Sequence, residues 1–258
     1  MIFVLSPAKS LDYETPVKVK EATLPRFVEQ ASALATLMRR KSAGDIAELM
    51  DISPALAELN RERFQKWSTE FTAENSRQAA LAFDGDVYGG LDARSLSTAQ
   101  LQWAQEHVAI LSGLYGVLRP LDRLQPYRLE MGIRLKNPKG TDLYAYWGDT
   151  IAHTLDEMVA ADKKPLIVNL ASQEYFKAAS RPALKTPVID CVFEEWKGGK
   201  YKIISFFAKR ARGLMARYAI EHRATTVAAL KKFDVEGYAF AADASSDCTL
   251  VFRRRQVE

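Results

Sequence analysis

The sequence predicts an α+β protein: a single domain with a mixed β-sheet surrounded by helices. Short strand-like runs occur at the start of the 258-residue chain and throughout its second half, whereas helical patterns dominate the first half. No Gly/Pro/Ser-rich linker and no internal repeat divides the chain, so we expect one domain over residues 1–258. The first strand is expected to join the later strands in one sheet.

Individual elements follow from local patterns. Short β-branched or aromatic runs predict strands at Ile2–Leu5, Leu166–Leu170, Val188–Phe193, Tyr201–Phe207, Tyr238–Phe240 and Leu250–Arg253. Helical periodicity predicts helices at Leu24–Arg40, Pro54–Trp67, Thr98–Leu111, Tyr144–Ala160 and Ala208–His222. Ser53 is a predicted N-cap, and Ser97 with Gln100 three residues later fits a capping box. The pair Gly198-Gly199 between two strand patterns predicts a hairpin turn.

Composition excludes several classes of protein. With 48% hydrophobic and 26% charged residues, the chain is typical of a folded protein rather than a disordered one. The apolar runs are too short for a membrane span, and the N-terminus lacks the pattern of a secretory signal. Two cysteines, Cys191 and Cys248, are too few for a disulfide framework. We therefore expect a cytoplasmic protein without a membrane partner.

Positive charge is concentrated in one segment, although the net charge is only +4. Residues 197–217 contain seven basic side chains and no acidic one: Lys197, Lys200, Lys202, Lys209, Arg210, Arg212 and Arg217. In the predicted helix Ala208–His222, the apolar residues share one face and the basic residues lie on the opposite arc. This pattern favours a surface for a polyanion, and an ordinary solvated helix is the alternative.

The segment Ser112–Arg134 combines glycines, prolines and four arginines, namely Arg119, Arg123, Arg128 and Arg134. Gly113 and Gly116 resemble the hairpin of a helix-hairpin-helix element, in which backbone N–H groups meet a DNA phosphate. The sequence thus predicts such an element over residues 98–134. A packed turn with solvated arginines is the alternative reading.

Polar residues near predicted strand ends are candidates for lining a site. Ser6 and Lys9 have the spacing of some acylating enzymes, but the supporting motifs are absent, so Lys9 is predicted to be a fixed charge. Polar groups that follow buried strands frequently build sites, although Ser172 is equally suited to cap a helix. The predicted lining consists of Ser6, Tyr13, Asn169, Ser172, Glu174 and Lys177, and no residue is predicted to be catalytic.

The enzymatic alternative is a metal-dependent nuclease, or another enzyme that acts in the same cleft through Lys9, Tyr13 or Glu174. Asp190 and Glu194 alternate on one side of a predicted strand, and Asp84 and Asp86 lie two residues apart, but neither spacing fits a metal motif. The three histidines are scattered and no CxxC occurs. We expect no metal and no cofactor. An iron-handling protein is a further alternative, for which the sequence offers only carboxylates.

Several segments together resemble the YaaA family of bacterial peroxide-stress proteins, of the UPF0246 type. The resemblance covers nearly the whole chain. It rests on Ser6–Tyr13, Gly85–Tyr88, Ser112–Arg134, Asn169–Ser172 with Glu174–Lys177, and Lys202–Phe206 with Ala211–Met215.

The resemblance implies properties that the residue patterns do not. It implies an α+β fold with a positively charged cleft, and binding of double-stranded and branched DNA without strong sequence preference. It also implies a role in hydrogen peroxide stress, through DNA protection or repair and lower free intracellular iron, with recombination-repair proteins as possible partners. By motif position Gly113 and Gly116 would form the hairpin. We infer Lys9, Arg119, Arg123, Arg128, Lys209, Arg210 and Arg212 as the basic residues of the cleft.

Overall fold

A computed structural model describes residues 1–255 and shows an α+β fold with one main mixed sheet. Residues 256–258 of the predicted domain lie outside the described residues. The strands are β1 (Ile2–Leu5), β2 (Ser10–Leu11), β3 (Arg77–Gln78), β4 (Phe83–Asp84), β5 (Val108–Ser112), β6 (Gly116–Leu118), β7 (Arg123–Leu124), β8 (Ile167–Asn169), β9 (Val188–Lys197), β10 (Lys200–Lys202), β11 (Ala239–Phe240) and β12 (Thr249–Arg254).

The helices surround this sheet. They are α1 (Val28–Arg39), α2 (Ala43–Met50), α3 (Pro54–Lys66), α4 (Ala79–Ala82), α5 (Asp86–Leu91), α6 (Thr98–His107), α7 (Leu143–Trp147), α8 (Thr150–Met158), α9 (Gln173–Phe176), α10 (Ser205–His222) and α11 (Val227–Leu230). Short 3₁₀ turns occur at Ala93–Ser95, Val235–Gly237 and Ala242–Ala244. Within residues 1–255, no helix combines the length and apolar character that crossing a bilayer requires.

The main sheet has the strand order β6-β5-β1-β8-β9-β12-β11, with β10 added to β9. Strands β5, β1, β8, β9 and β12 run parallel, and β6, β10 and β11 pair antiparallel to their neighbours. All four residues of β1 are buried, as expected of a parallel strand covered on both faces. The predicted joining of the first strand to the later ones is confirmed.

The order of the parallel strands creates a crevice. Strand β5 lies on one side of β1, and the chain then returns to place β8 on the other side. In parallel sheets, ligands bind at the carboxyl ends of strands where the order reverses in this way. Ser6 directly follows β1, and Ser172 lies three residues after β8. The topology therefore brings these two predicted residues to one edge of the sheet.

Helix α10 is held against α5 by close backbone packing. A Cβ atom on Gly213 would lie 1.8 Å from the carbonyl oxygen of Val87, and one on Gly90 would lie 2.3 Å from that of Arg210. Only glycine allows the two backbones to approach so closely. This contact fixes the first turns of α10 beside the start of α5, at the same edge of the sheet.

Several local predictions are confirmed. Strand β1 has the predicted bounds, and Ser97 forms the capping box with Gln100. The Ser53 side chain accepts a hydrogen bond from the N–H of Leu56. Gly198 and Gly199 form the β9–β10 turn with φ angles of 64° and 79°.

Three predictions need correction. The helix predicted to Leu111 ends at His107, and its last residues belong to β5, which lies between β1 and the edge strand β6. The helix predicted over Tyr144–Ala160 is divided into α7 and α8 at Gly148, whose φ of 51° suits glycine. The strand predicted over Tyr201–Phe207 ends at Lys202, and helix α10 begins at Ser205.

Candidate functional site

A cleft of about 420 Å³ opens at the carboxyl ends of β1 and β8. Four segments and one helix face enclose it: the loop after β1, the start of α5, residues 127–130, the start of α9, and α10. The side chains lining it that carry chemistry are Ser6, Lys9, Asp84, Asp86, Tyr88, Tyr127, Arg128, Glu130, Ser172, Glu174, Tyr175, Lys209 and Arg212. Of the predicted lining, the cleft thus contains Ser6, Ser172 and Glu174.

Two serines connect the ends of β1 and β8. The Ser6 hydroxyl accepts a hydrogen bond from the Ser172 N–H at 2.8 Å and donates one to Ser172 Oγ at 3.3 Å. Ser172 Oγ also accepts from the N–H of Tyr175, which makes it the N-cap of α9. Since its oxygen is the acceptor of both bonds, the hydroxyl hydrogen of Ser172 remains available to a molecule in the cleft. The predicted capping role of Ser172 is therefore confirmed, and the same residue lines the cleft.

The charged side chains of the cleft are evenly divided between the two signs. Lys9, Arg128, Lys209 and Arg212 face Asp84, Asp86, Glu130 and Glu174. The lining is thus formally neutral, rather than predominantly basic as the resemblance implies. A site of this kind suits a ligand that carries both a small anionic group and hydrogen-bond donors.

Some of these charges are already partnered. Arg128 Nη2 lies 3.0 Å from Glu130 Oε1, and Lys9 Nζ approaches the same oxygen at 3.7 Å. Glu174 Oε1 accepts a hydrogen bond from the N–H of Gly132 at 2.9 Å, which ties α9 to the neighbouring loop. These contacts fix one side of the cleft.

The charged side chains that α10 contributes to the cleft are not partnered in this way. Within residues 1–255, Lys209 and Arg212 have no carboxylate oxygen within 4 Å and no hydrogen-bond partner in the protein. Burial lowers the pKa of the Arg212 guanidinium from its ordinary value, and the negative charge of Asp190 opposes this effect. An arginine nevertheless stays charged in proteins. The cleft therefore contains a half-buried cation that lacks an anionic partner.

One carboxylate oxygen of Glu130 accepts no hydrogen bond within the described residues. This atom, Oε2, is buried. Leaving a buried carboxylate oxygen unpaired costs about 1–3 kcal/mol or more, so such atoms usually receive a donor from water or a ligand. Residue Glu130 was not singled out from the sequence, although it lies within the Ser112–Arg134 segment.

The tyrosines of the cleft are structural. Tyr88 donates to the carbonyl oxygen of Ser6 at 3.0 Å, and the Tyr127 hydroxyl is hydrogen-bonded to Ser112 Oγ at 2.6 Å. Burial raises the pKa of Tyr88, Tyr127 and Tyr175 well above the ordinary value of a phenol. They therefore stay neutral and supply aromatic walls to the cleft.

Three residues predicted to line a cleft are engaged elsewhere. The hydroxyl of Tyr13 donates to the carbonyl oxygen of Leu124 at 2.6 Å, beside a separate hollow of about 280 Å³. The Asn169 amide donates to Asp190 Oδ1 at 2.7 Å. The ammonium of Lys177 lies 4.7 Å from the ring centre of Tyr144. None of the three is part of the cleft lining.

The helix-hairpin-helix prediction for residues 98–134 is wrong. Gly113 and Gly116 belong to the turn between β5 and β6, two antiparallel strands, and no helix follows within residues 117–142. Both glycines are buried. A Cβ on Gly113 would lie 2.1 Å from the carbonyl oxygen of Leu129, and Gly116, with φ of 69°, packs on the ring of Trp147. Their N–H groups lie inside the protein, away from any phosphate.

Three predicted DNA-contacting arginines lie outside the cleft lining. Arg119 pairs with the buried Asp122 at 2.9 Å. Arg123 donates to the carbonyl oxygens of Thr72 and Ser76, and Arg210 forms a forked pair with Glu236 at 2.6 Å. The predicted residues that the fold does bring together are Lys9, Arg128, Lys209 and Arg212.

The carboxylates weighed as metal ligands are not gathered. Asp84 and Asp86 line the cleft, whereas Asp190 is hydrogen-bonded to Asn169 and Glu194 pairs with Arg253. Across residues 1–255, no group of three or more His, Cys, Asp or Glu side chains is arranged to hold a metal ion.

Comparison with known proteins identifies relatives along the full chain. Residues 1–244 match the family model described as peroxide stress protein YaaA. The UPF0246 protein of Ralstonia nicotianae is 63% identical over 255 residues, covering 99% of both chains. The UPF0246 protein of Bordetella petrii is also 63% identical over 255 residues, covering 99% of this chain and 100% of its own. The UPF0246 protein of Paracidovorax citrulli is 62% identical over 256 residues, with 99% coverage of each.

Proposed function

We propose that this chain, which belongs to the YaaA family of peroxide stress proteins, binds double-stranded and branched DNA through the phosphate backbone, independently of sequence. The role in peroxide stress follows from membership of the family. The DNA contact is supported by a surface next to the cleft, and this surface differs from the one that the Ser112–Arg134 segment suggested.

The surface consists of Lys197, Lys200, Lys202 and Lys209, and we call it the hairpin lysine face. In the β9–β10 hairpin Lys200 lies opposite Lys197, and Lys202 lies opposite Glu195. Since paired residues point to the same side of a sheet, these three lysines share one face.

Helix α10 covers the same side of the sheet. Arg254, which lies opposite Glu195 on β12, stacks its guanidinium on the ring of Phe207 at 4.9 Å. Lys209 follows Phe207 on α10 and lines the cleft. We infer that Lys209 continues the hairpin lysine face from the end of the sheet into the cleft.

The observation that carries the proposal is the lack of partners on this face. All four lysines are exposed, and within residues 1–255 none of them has a carboxylate oxygen within 4 Å. Unpartnered lysines on one face are suited to phosphates, because neutralising a phosphate releases counterions from the DNA. Inside the cleft, Arg212 is proposed to add an unpartnered positive charge, whereas the predicted residues Lys9 and Arg128 lie beside Glu130.

A gel-shift assay with charge-reversed variants tests the proposal. The variant Lys200→Glu/Lys202→Glu is expected to bind duplex and four-way-junction DNA about tenfold more weakly or worse, whatever the sequence. Lys163→Glu/Lys164→Glu carries the same charge change on other exposed lysines and is the matched control. Equal losses in both variants, or no loss in either, would contradict the hairpin lysine face as the contact.

Cleavage by a metal-dependent nuclease is the second candidate. Asp84 and Asp86 line the cleft together with Lys9 and Lys209, which are residue types that phosphodiester hydrolysis uses. The same lanes, run with EDTA, Mg²⁺ or Mn²⁺, decide between the two. Intact DNA in every lane supports binding alone, whereas cut DNA only with the metal supports the nuclease. The links to iron and to recombination-repair proteins stay predictions to which no residue is assigned.

A further inference from the structure

We propose that the cleft is a binding site for a single nucleotide unit, a nucleoside carrying one phosphate. Such a unit has two sources: a free mononucleotide, or an unpaired nucleotide of DNA held on the hairpin lysine face. Only the second source rests on the proposed function.

The size and position of the cleft favour a ligand of this size. Its volume of about 420 Å³ lies within the range of small-molecule sites. A base stacked inside a duplex cannot enter such a cavity, but a base that has left the stack can. The cleft also lies where the strand order reverses around β1, the usual place for a ligand in a parallel sheet.

One side of the cleft is suited to the phosphate. Arg212 and Lys209 are adjacent on the same helix face and lack anionic partners, and the Ser172 hydroxyl hydrogen is free to be donated. A guanidinium, an ammonium and a hydroxyl are the donors that bind a phosphate monoester in proteins. The phosphate would thus lie between α10 and the start of α9.

The other side is suited to the nucleoside. Glu130 Oε2 is a buried acceptor without a donor, and base N–H groups or sugar hydroxyls are donors of the required kind. Arg128 holds the second oxygen of that carboxylate and so fixes its orientation. Tyr127 and Tyr175 add apolar wall on this side, next to which a base can lie.

The balance of charge determines the number of phosphates. Four carboxylates oppose four cations in the lining, so the cleft has no excess positive charge for a second or third phosphate. Asp84 and Asp86 would repel a longer phosphate chain. The geometry therefore predicts a preference for a monophosphate over a triphosphate, which distinguishes this site from a general polyanion surface.

Titration calorimetry tests the free source with the four 5′-deoxynucleoside monophosphates, deoxyguanosine, dGTP and inorganic phosphate as probes. We expect saturable binding of at least one monophosphate, tighter than its nucleoside, inorganic phosphate or the triphosphate. Arg212→Gln and Glu130→Gln should each weaken it about tenfold or more. Lys163→Glu/Lys164→Glu, at exposed residues outside the cleft lining, should leave it unchanged, and near-ultraviolet circular dichroism checks that each variant is folded.

The second source is tested with DNA that carries 2-aminopurine at a single-nucleotide bulge, whose fluorescence rises when the base leaves the stack. We expect a rise on binding that Arg212→Gln removes at a protein concentration that saturates the DNA. Saturable binding in either arm supports the site and identifies its source. No binding in both arms, or inorganic phosphate binding as tightly as the monophosphates, overturns it. Mononucleotide binding without DNA binding would contradict the proposed function and would still support this inference.

Discussion

Two basic regions of this molecule differ in how their charges are partnered. In the Ser112–Arg134 segment, Arg119 pairs with Asp122, Arg128 pairs with Glu130, and Arg123 donates to backbone carbonyl oxygens. On the hairpin lysine face, no lysine has a carboxylate within 4 Å in the described residues. In the sequence, the Ser112–Arg134 segment is the more conspicuous of the two, because it combines glycines, prolines and four arginines. Its charges nevertheless pair within the protein and stabilise the fold.

The proposed DNA contact therefore depends on how the basic residues are partnered rather than on how many there are. A cation with a close carboxylate contributes little net field and gains less from a phosphate, because the existing pair must first be separated. Exposed and unpartnered cations remain available to DNA. The following predictions test this division between structural and binding charges, starting with the largest expected effect.

Removal of the Asp122 carboxylate tests the structural role of the arginine segment. Asp122 is fully buried and accepts hydrogen bonds from the Arg119 guanidinium and backbone and from the Thr23 hydroxyl. Asp122→Ala is expected to lower the free energy of unfolding by about 3 kcal/mol, measured by urea denaturation. Glu48→Ala, at an exposed residue, should change it by less than about 0.5 kcal/mol.

The same Asp122 variant should keep its affinity for DNA at a temperature where it is folded. A folded Asp122→Ala protein that has lost DNA binding would contradict the assignment of this segment to structure.

The second-largest expected change in stability comes from the close packing of α10 on α5. A methyl group on Gly213 would overlap the Val87 carbonyl, so Gly213→Ala is expected to destabilise the protein by about 2–3 kcal/mol. Gly44→Ala is the matched control, because its new Cβ meets only Ser42 Oγ at 3.7 Å. It should stabilise helix α2 by up to about 1 kcal/mol. Thermal unfolding of both variants measures the difference, and equal melting temperatures would count against the close contact.

The smallest expected change in stability comes from Asp12, in the loop that carries Lys9 into the cleft. Asp12 accepts a hydrogen bond from the backbone N–H of Thr15 and pairs with Arg94, which lowers its pKa from 3.8 to about 2. A carboxyl whose pKa is lowered in the folded state stabilises the protein at pH values above its ordinary pKa. This contribution is lost as the pH falls toward about 2.

Asp12→Asn is therefore expected to cost about 1 kcal/mol at pH 7, and less as the pH falls from about 4 to about 2. Urea denaturation at several pH values measures the difference. A cost for Asp12→Asn that stays constant down to pH 2 would rule out the ionised carboxylate as its source.

Local signals allowed part of the fold to be predicted. The uninterrupted apolar run of β1, the Ser97 capping box and the Gly198-Gly199 turn each depend on neighbouring residues. Strand β5 was not predicted, because Val108–Ser112 continues an apolar pattern that fits helix or strand equally. Its place between β6 and β1 depends on pairing with β1, about a hundred residues away in the chain.

The site was predictable to a similar extent. Ser172 was singled out because it follows a buried strand, and Ser6 because of its spacing to Lys9. Lys209 and Arg212 were singled out because they share a helix arc, and all four line the cleft. The partnering of arginines depends on distant or buried carboxylates, which the sequence does not reveal. The pair Arg119–Asp122 is the exception, since its spacing of three residues is itself a signal. The unpaired oxygen of Glu130, Oε2, becomes buried only when the segments of the chain pack together, so the sequence does not indicate it.

The salt dependence of DNA affinity tests the division of charges most directly. The logarithm of the binding constant should fall linearly with the logarithm of salt concentration, by about 0.9 per neutralised phosphate on duplex DNA. Lys200→Glu/Lys202→Glu should reduce this slope by about 2, whereas Arg119→Gln/Arg123→Gln should leave it unchanged. The opposite result, with the slope lowered by the arginine variant and kept by the lysine variant, would contradict the account.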